Sequence, residues 1–391
     1  MLTVNKIYLD NSATTRISEG ALEKYIEVSR EYYGNPSSLH AMGFEAEKIL
    51  DGARAEILRS LCTKDASVIF TASGSEANNL AIIGRALSKE RYKSGAKIIT
   101  TEGEHASVDA PLDFLVSLGF KVARIPTKNG KIDLDILKRE MTRDVILVTM
   151  MMVNNETGAL YDIATVSKIM KANSPDAFLH VDATQSYLKL PFTKAKLGAD
   201  MITVSSHKIE GPKGVGALVV GKEVIKARGL APIILGGGQE GGMRSGTENV
   251  PAVAAFGEAV KIGFESLKER YEKTRVLRDY LIGKFEQEEL AEISLTLPEF
   301  SAPHILNITL PKIKSETMLH YLSSLGIYVS SGSACSSNGT HSSSALTAYG
   351  RSAAEADTSI RISLSYHNTK EEIDALAEGL ASGLKKLSRI R

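Results

Sequence analysis

The sequence predicts an α/β protein: a large domain on a mostly parallel β-sheet, followed by a smaller α+β domain. Two observations carry this expectation. Between residues 67 and 221 short β-rich apolar runs alternate with helical stretches, the pattern of βαβ units with helices on both faces of a sheet. From Val250 the texture changes to a long stretch with apolar residues at helical spacing and a charged opposite face. At 391 residues the chain is long enough for two moderate domains, each with its own core.

The elements follow in order. SVIFT (67–71) reads as a strand and EANNLAIIGRAL (76–87) as an amphipathic helix. KIITT (97–101), KVARIP (121–126) and DVILVTMMMV (144–153) are strands, IATVSKIMKA (163–172) is a helix, and AFLHVDA (177–183), ADMITVSS (199–206) and GVGALVVG (214–221) are strands. Ligands of such a sheet belong at the carboxyl ends of its strands. Residues 250–287 read as one long helix or two. Beyond them ISLTL, HILNITL, GIYVSS and SIRISLS are strands, with helices near 315–324 and 370–388.

Composition excludes several function classes. Lys and Arg number 47 against 46 Asp and Glu, so net charge exerts no global pull on nucleic acid or an anionic membrane. The longest apolar run, 145–153, is far short of the roughly 20 residues that span a bilayer. Met1 opens into polar TVNKIYLD without a basic and apolar leader, so a cytoplasmic location is expected. Two cysteines, Cys62 and Cys335, exclude a disulfide framework. Cys62, in EILRSLCTK, fits a small helix-packed residue. Cys335 lies in a stretch, 330–344, where eight of fifteen residues are serine and nothing anchors it in a core.

Five segments carry chemistry. TASGSEANN (71–79) is a small-residue turn from strand to helix: Gly74 and the backbone N–H groups of a helix start make an anion site, to which Ser75 adds a hydroxyl. The same turn reads equally as an N-cap followed by a capping Glu76. Asp182 ends the strand in HVDATQS, where a carboxylate points into the ligand crevice or simply caps the next segment. Lys208, in SSHKIEGPKG, closes the next strand, placed either as a Schiff-base amine or as a solvated loop lysine. Together a phosphate-binding helix start, an acid and a lysine at neighbouring strand ends match the needs of pyridoxal phosphate, with the lysine on the aldehyde carbon and the acid on the pyridinium nitrogen. His105, after KIITT, is placed to stack on a flat ring, and Asn154 and Asn155 follow another strand end. No metal is expected.

DNSATT (10–15), GNPSSLH (34–40), ASGSEANNLAI (72–82), GEHASV, MVNNETG, HVDATQS, SSHKIEGPKGVGAL, GGGQEGGMRSGT (236–247) and SSGSACSS (330–337) resemble, in order and over nearly the whole chain, the motif series of cysteine desulfurases. That family belongs to the class V aminotransferase group, with the fold-type I pyridoxal phosphate architecture. The resemblance implies that residues 15–258 form the cofactor domain and that 1–14 and 259–391 form the small domain, with a mobile cysteine loop at 330–344. It implies Lys208 on the cofactor aldehyde, Asp182 on the ring nitrogen, His105 stacked on the ring, and Gln185 and Asn155 at the ring hydroxyl. Ser75, Gly74, Ser205 and His207 would bind the phosphate, with Thr247 reaching the phosphate of a neighbouring subunit in a homodimer. Arg361, with Asn35 near it, would clamp the substrate carboxylate, a task suited to a bidentate guanidinium. Cys335 would be the nucleophile that takes sulfur from L-cysteine as a persulfide, leaves L-alanine and passes the sulfur to a protein acceptor, an iron–sulfur scaffold or a tRNA or cofactor thiolation carrier. Selenocysteine lyase and cysteine-sulfinate desulfinase are sister activities on the same fold, and an idle scaffold is a distant alternative.

Ser75 stands where many relatives have threonine, and Gln239 and Gly241 where close relatives carry histidine and arginine. The long segment between Cys335 and Arg361 fits the long-loop branch of the family. Relatives with a longer tail use it to dock the scaffold, so the stop at Arg391 leaves the acceptor open.

Overall fold

A computed structural model describes residues 6–88, 96–331 and 343–387. A short strand β1 (Ile7–Tyr8) leads into helices α1 (Glu19–Glu31) and α2 (Ala41–Ser60). The alternating middle comprises β2 (Ala66–Thr71), α3 (Gly74–Leu87), β3 (Lys97–Thr101), α4 (Ala106–Ser117), β4 (Lys121–Ile125), α5 (Leu134–Glu140), β5 (Val145–Met151), α6 (Ile163–Asn173), β6 (Phe178–Asp182), α7 (Lys194–Leu197), β7 (Met201–Ser205), β8 (Gly216–Gly221) and α8 (Lys222–Lys226). The long helical stretch is two helices, α9 (Val250–Glu265) and α10 (Leu267–Lys284), broken at Ser266. The rest comprises β9 (Ser294–Thr296), β10 (Ile305–Thr309), α11 (Ser315–Ser324), β11 (Ile327–Tyr328), β12 (Ser330–Ser331), α12 (Ser344–Tyr349), α13 (Ala353–Asp357), β13 (Ser359–Ser363) and α14 (Lys370–Leu387).

The strands of the middle form one seven-stranded sheet in the order β2-β8-β7-β6-β5-β3-β4. Strand β8 runs antiparallel to both neighbours; every other pairing in the sheet is parallel. Successive residues serve opposite faces, as the strand period requires. Val68 and Phe70 of β2 join a core with Phe256 and Val260 of α9, whereas Ile69 joins a second core with Leu80 of α3 and Leu112 of α4. A third core gathers Leu277 and Leu281 of α10, Ile308 of β10, Ile360 and Ile362 of β13 and Leu376 of α14 around the four-stranded sheet β12-β13-β10-β9.

Cys62, expected among packed residues, is exposed. The chain leaves α2 through residue 62 with a φ of 51°, and the Cys62 N–H donates to the Arg59 carbonyl at 3.0 Å. This left-handed helix end carries the side chain into solvent instead of onto the helix's packed face. Among the described residues no helix is long and apolar enough to cross a membrane.

Candidate active site

Because six of the seven strands run the same way, the ends of β2, β3, β5, β6 and β7 open onto one edge, where β8 begins. A cavity of about 460 Å³ lies there, lined by Gly74, Ser75, His105, Asn155, Asp182, Gln185, Ser205, His207, Lys208 and Arg361 among others. Ten of the thirteen residues singled out for the site therefore meet in one place. Asn35 is exposed outside the cavity, its Oδ1 accepting from Ser37 N at 2.9 Å. Thr247 is exposed, also outside it. Cys335 lies outside the described residues; those flanking it are anchored, Ser330 and Ser331 in β12 against β13, and Ser343 hydrogen-bonded to Glu156 at the start of α12.

One end of the cavity is formed by the start of α3. Ser73 caps α3, its Oγ accepting from Glu76 N at 3.2 Å, while Glu76 accepts from Ala72 N and from the Arg244 guanidinium, each at 2.9 Å. The turn is a capped helix start, and Gly74 and Ser75 line the cavity. A Cβ at Gly74 would stand 3.2 Å from Ser205 Cβ and 3.3 Å from Thr184 Oγ1. Opposite, burial and then the charges of Lys208, Lys213 and Lys189 hold the His207 imidazole down to about 4, so it is neutral at physiological pH. Its Nδ1 lies 3.1 Å from Thr14 Oγ1.

At the floor Asp182 accepts from Asn78 Nδ2 at 2.8 Å and from Thr184 N at 2.9 Å. Asn78 also donates to Ser107 Oγ at 2.9 Å, and Ser107 Oγ lies 2.8 Å from His105 Nδ1. His105 caps α4, its Nδ1 accepting from Ser107 N at 3.1 Å, and burial lowers its basicity against the opposing pull of Asp182. The ring is therefore neutral with its proton on Nε2. Asn78 and Ser107 were absent from the sequence-based set. Asn78 sits one turn after Gly74 on the same helix face, so the motif ASGSEANN contained the signal.

Lys208 Nζ donates to the carbonyls of Ser12 at 2.5 Å and Ala13 at 2.8 Å, both in the segment DNSATT. Gln185 Nε2 donates to the same Ser12 carbonyl at 2.9 Å. Arg361, paired in β13 and 7% exposed, donates through Nη2 to Asp10 Oδ1 at 2.9 Å and through Nη1 to the Asn155 carbonyl at 3.0 Å. Burial pushes the Asp10 carboxyl up, opposed by Arg361. Among the described residues Arg361 Nε and Ser12 Oγ are buried without a hydrogen-bond partner.

Comparison with known proteins places the chain in a family. The model of the class-V aminotransferase family matches residues 7–376. The chain is 38% identical over 381 residues to the cysteine desulfurase IscS 1 of Archaeoglobus fulgidus, covering 97% of each. A solved NifS-like protein superposes with a TM-score of 0.89 at 35% identity, covering 97% of this chain and 99% of that one. SspA, solved in complex with cysteine, superposes with a TM-score of 0.79 at 30% identity, covering 93% and 100%. The chain belongs to the class-V aminotransferase family and, within it, to the cysteine desulfurases.

Proposed function

We propose that the cavity holds pyridoxal phosphate and that the protein converts L-cysteine to L-alanine, keeping the sulfur as a persulfide on Cys335 for a protein acceptor. The observation that carries this reading is the meeting of Lys208, Asp182, His105, Arg361 and the α3 turn around one cavity. The residues fit the cofactor. The α3 start with Ser75, Ser205 and His207 offers donors to a phosphate. Asp182 is bonded only by neutral donors among the described residues, which leaves its charge for a ring N–H. Lys208 would carry the aldehyde. The bound cofactor supplies an electron-withdrawing ring that stabilises negative charge on the Cα of an attached amino acid.

The chain's own residues do the rest. Arg361 Nη2 binds the substrate carboxylate by giving up Asp10, its partner in this structure. Lys208 Nζ, anchored at Ser12 and Ala13, is the amine that takes the Cα proton and returns it. His105, neutral and protonated on Nε2, donates one hydrogen bond into the cavity. Cys335 is four residues beyond Ser331, and four residues span at most about 14 Å, so the Ser330 wall of the cavity sets how far the thiol is tethered. Its thiolate attacks the substrate Sγ: an S–S bond forms, the Cβ–S bond breaks, and the electron pair and a proton end on Cβ. The sum is Cys335 thiol plus L-cysteine giving Cys335 persulfide plus L-alanine, with no outside oxidant. The cysteine found in the SspA structure supports the substrate.

We also read residues 15–258 and 1–14 with 259–391 as the two domains, with Thr247 serving a neighbouring subunit. The central test is Cys335→Ala. The variant should keep the yellow cofactor and lose alanine formation at least about a thousandfold, and mass spectrometry should find no added sulfur after incubation with L-cysteine. Alanine formation at the wild-type rate would remove Cys335 from the reaction.

A further inference from the structure

Lys189 belongs to no motif assigned above, yet it stands directly behind the candidate site. It follows β6 in the turn that begins at Asp182, with its N–H on the Ser186 carbonyl at 3.1 Å. Its Nζ donates to Gln185 Oε1 at 3.2 Å. It shares a second cavity, of about 60 Å³, with Lys208, Glu210, Arg270 and His304. Lys189 thus bonds Gln185 directly, while Lys208 shares the Ser12 carbonyl with the other end of the same amide.

The chemistry of the pair fixes an orientation. An ammonium has three donors and no acceptor, so Lys189 can pair only with the oxygen of the Gln185 amide. Nε2 is thereby turned toward the Ser12 carbonyl, which also receives Lys208. With Lys189 charged, Gln185 turns Nε2 rather than its acceptor toward Ser12 and the candidate site, which suits an anionic ring oxygen. The second consequence is electrostatic. The charges facing Lys189 are Lys208 and Arg361, which oppose a further cation, and Glu210, which favours one; His207 and His304 are both held neutral by burial. Glu210 is itself engaged by Arg270, Tyr366 and His367. Burial first, and then Lys208, brings the Lys189 amine down to about 7. Repulsion between two amines is reciprocal, so a charged Lys189 lowers the proton affinity of the nitrogen at Lys208 by the same interaction.

We propose that Lys189 is a positioning residue for the desulfurase reaction: it locks Gln185 as a hydrogen-bond donor to the cofactor and places a second cation behind Lys208 that favours its unprotonated form. The inference rests on the pyridoxal phosphate reading of the cavity. The test compares Lys189→Met and Lys189→Arg holoenzymes by titrating the visible absorption band of the bound cofactor against pH. Lys189→Met should move the midpoint up by about one pH unit and lower kcat about tenfold with KM for L-cysteine little changed. Lys189→Arg, which keeps a permanent cation and its donors, should hold the midpoint at or below the wild-type value. Lys189→Gln, neutral but still able to donate to Oε1, serves as a second uncharged variant if the methionine disturbs folding, and it too should raise the midpoint. An unmoved midpoint in the uncharged variants overturns the proposal, as does a loss of cofactor content with a wild-type midpoint in the fraction still bound. A wild-type protein with no visible band after incubation with pyridoxal phosphate overturns the cofactor assignment on which the proposal rests.

Discussion

Glu104 precedes His105 and is fully buried, accepting from Thr101 Oγ1 and, through both oxygens at 3.0 Å, from Met151 N. Burial pushes its carboxyl up to about 8, against the pull of those donors. A raised acid keeps its proton in the folded chain while the unfolded chain releases it near 4.5, so stability falls as pH climbs between those values. Glu104→Gln has no such proton. Wild type should lose at least about 1 kcal/mol relative to the variant between pH 5 and 8, measured by urea unfolding at each pH. A difference that stays constant across this range would show that Glu104 is ionised throughout. This residue also marks what single positions in a sequence can and cannot announce. Lys208 and Asp182 were readable because strand ends in a parallel sheet are where ligand groups belong. Glu104 and Lys189 carry the same residue types but owe their properties to burial, which follows from packing and not from local pattern. Cys62 shows the converse: a helical neighbourhood predicted burial, and a left-handed φ at the helix end put the side chain in solvent.

Among the elements, the strands of the large sheet and helix α3 follow the periodicity to within a few residues, because a sheet covered on both faces needs continuous apolar runs. Helices α1 and α2 were not among the elements predicted from the sequence. Helix α1 buries only Ala21 and Val28, and α2 meets the protein largely through small residues, Gly43, Ala46 and Ala53 among them. Close approach does the work there: a Cβ on Gly257 of α9 would stand 2.8 Å from Ala53 Cβ. The same economy of space governs the anion end of the site. Gly216, the first residue of β8, pairs with Thr71, and a Cβ on it would lie 2.6 Å from Ser73 C and 2.8 Å from Gly74 N. Those are backbone atoms and cannot swing aside. Gly216→Ala should therefore push β8 and the α3 turn apart, at a cost of about 1–3 kcal/mol in stability, and loosen pyridoxal phosphate about tenfold by the change in turn geometry. Thermal unfolding with and without added cofactor, together with cofactor retained after dialysis, measures both. Unchanged retention would show that the phosphate does not depend on this turn.

At the scale of the molecule, the segment 236–247 is tied down along its length while its end stays outside. Glu240 takes both Arg54 nitrogens at 2.8 Å and the Phe70 N–H at 2.9 Å, and Arg244 pairs with Glu76 in the first turn of α3. Gln239, where relatives carry histidine, accepts from Gly246 N at 2.9 Å, and Gly241 sits at a φ of 63°. The loop is thus fixed to β2 and α3, the elements that shape the anion end, yet Thr247 is exposed and lines no part of its own chain's cavity. In the reading proposed above, Thr247 serves another copy of the chain rather than its own site. Mixed dimers separate the two possibilities. In a dimer of one Lys208→Ala subunit and one Thr247→Val subunit, a Thr247 that serves the neighbour leaves one site with both groups native, the one built on the Thr247→Val chain. A Thr247 that serves its own chain leaves none. Thr247→Val alone should weaken cofactor binding about tenfold by loss of one hydrogen bond to a charged group. Co-expressing the two variants under different affinity tags and purifying the mixed species should then restore about half of the wild-type activity per dimer, with wild-type cofactor affinity in the working site. Mixed dimers with the weakened affinity of Thr247→Val would return Thr247 to its own subunit and leave each site complete within one chain.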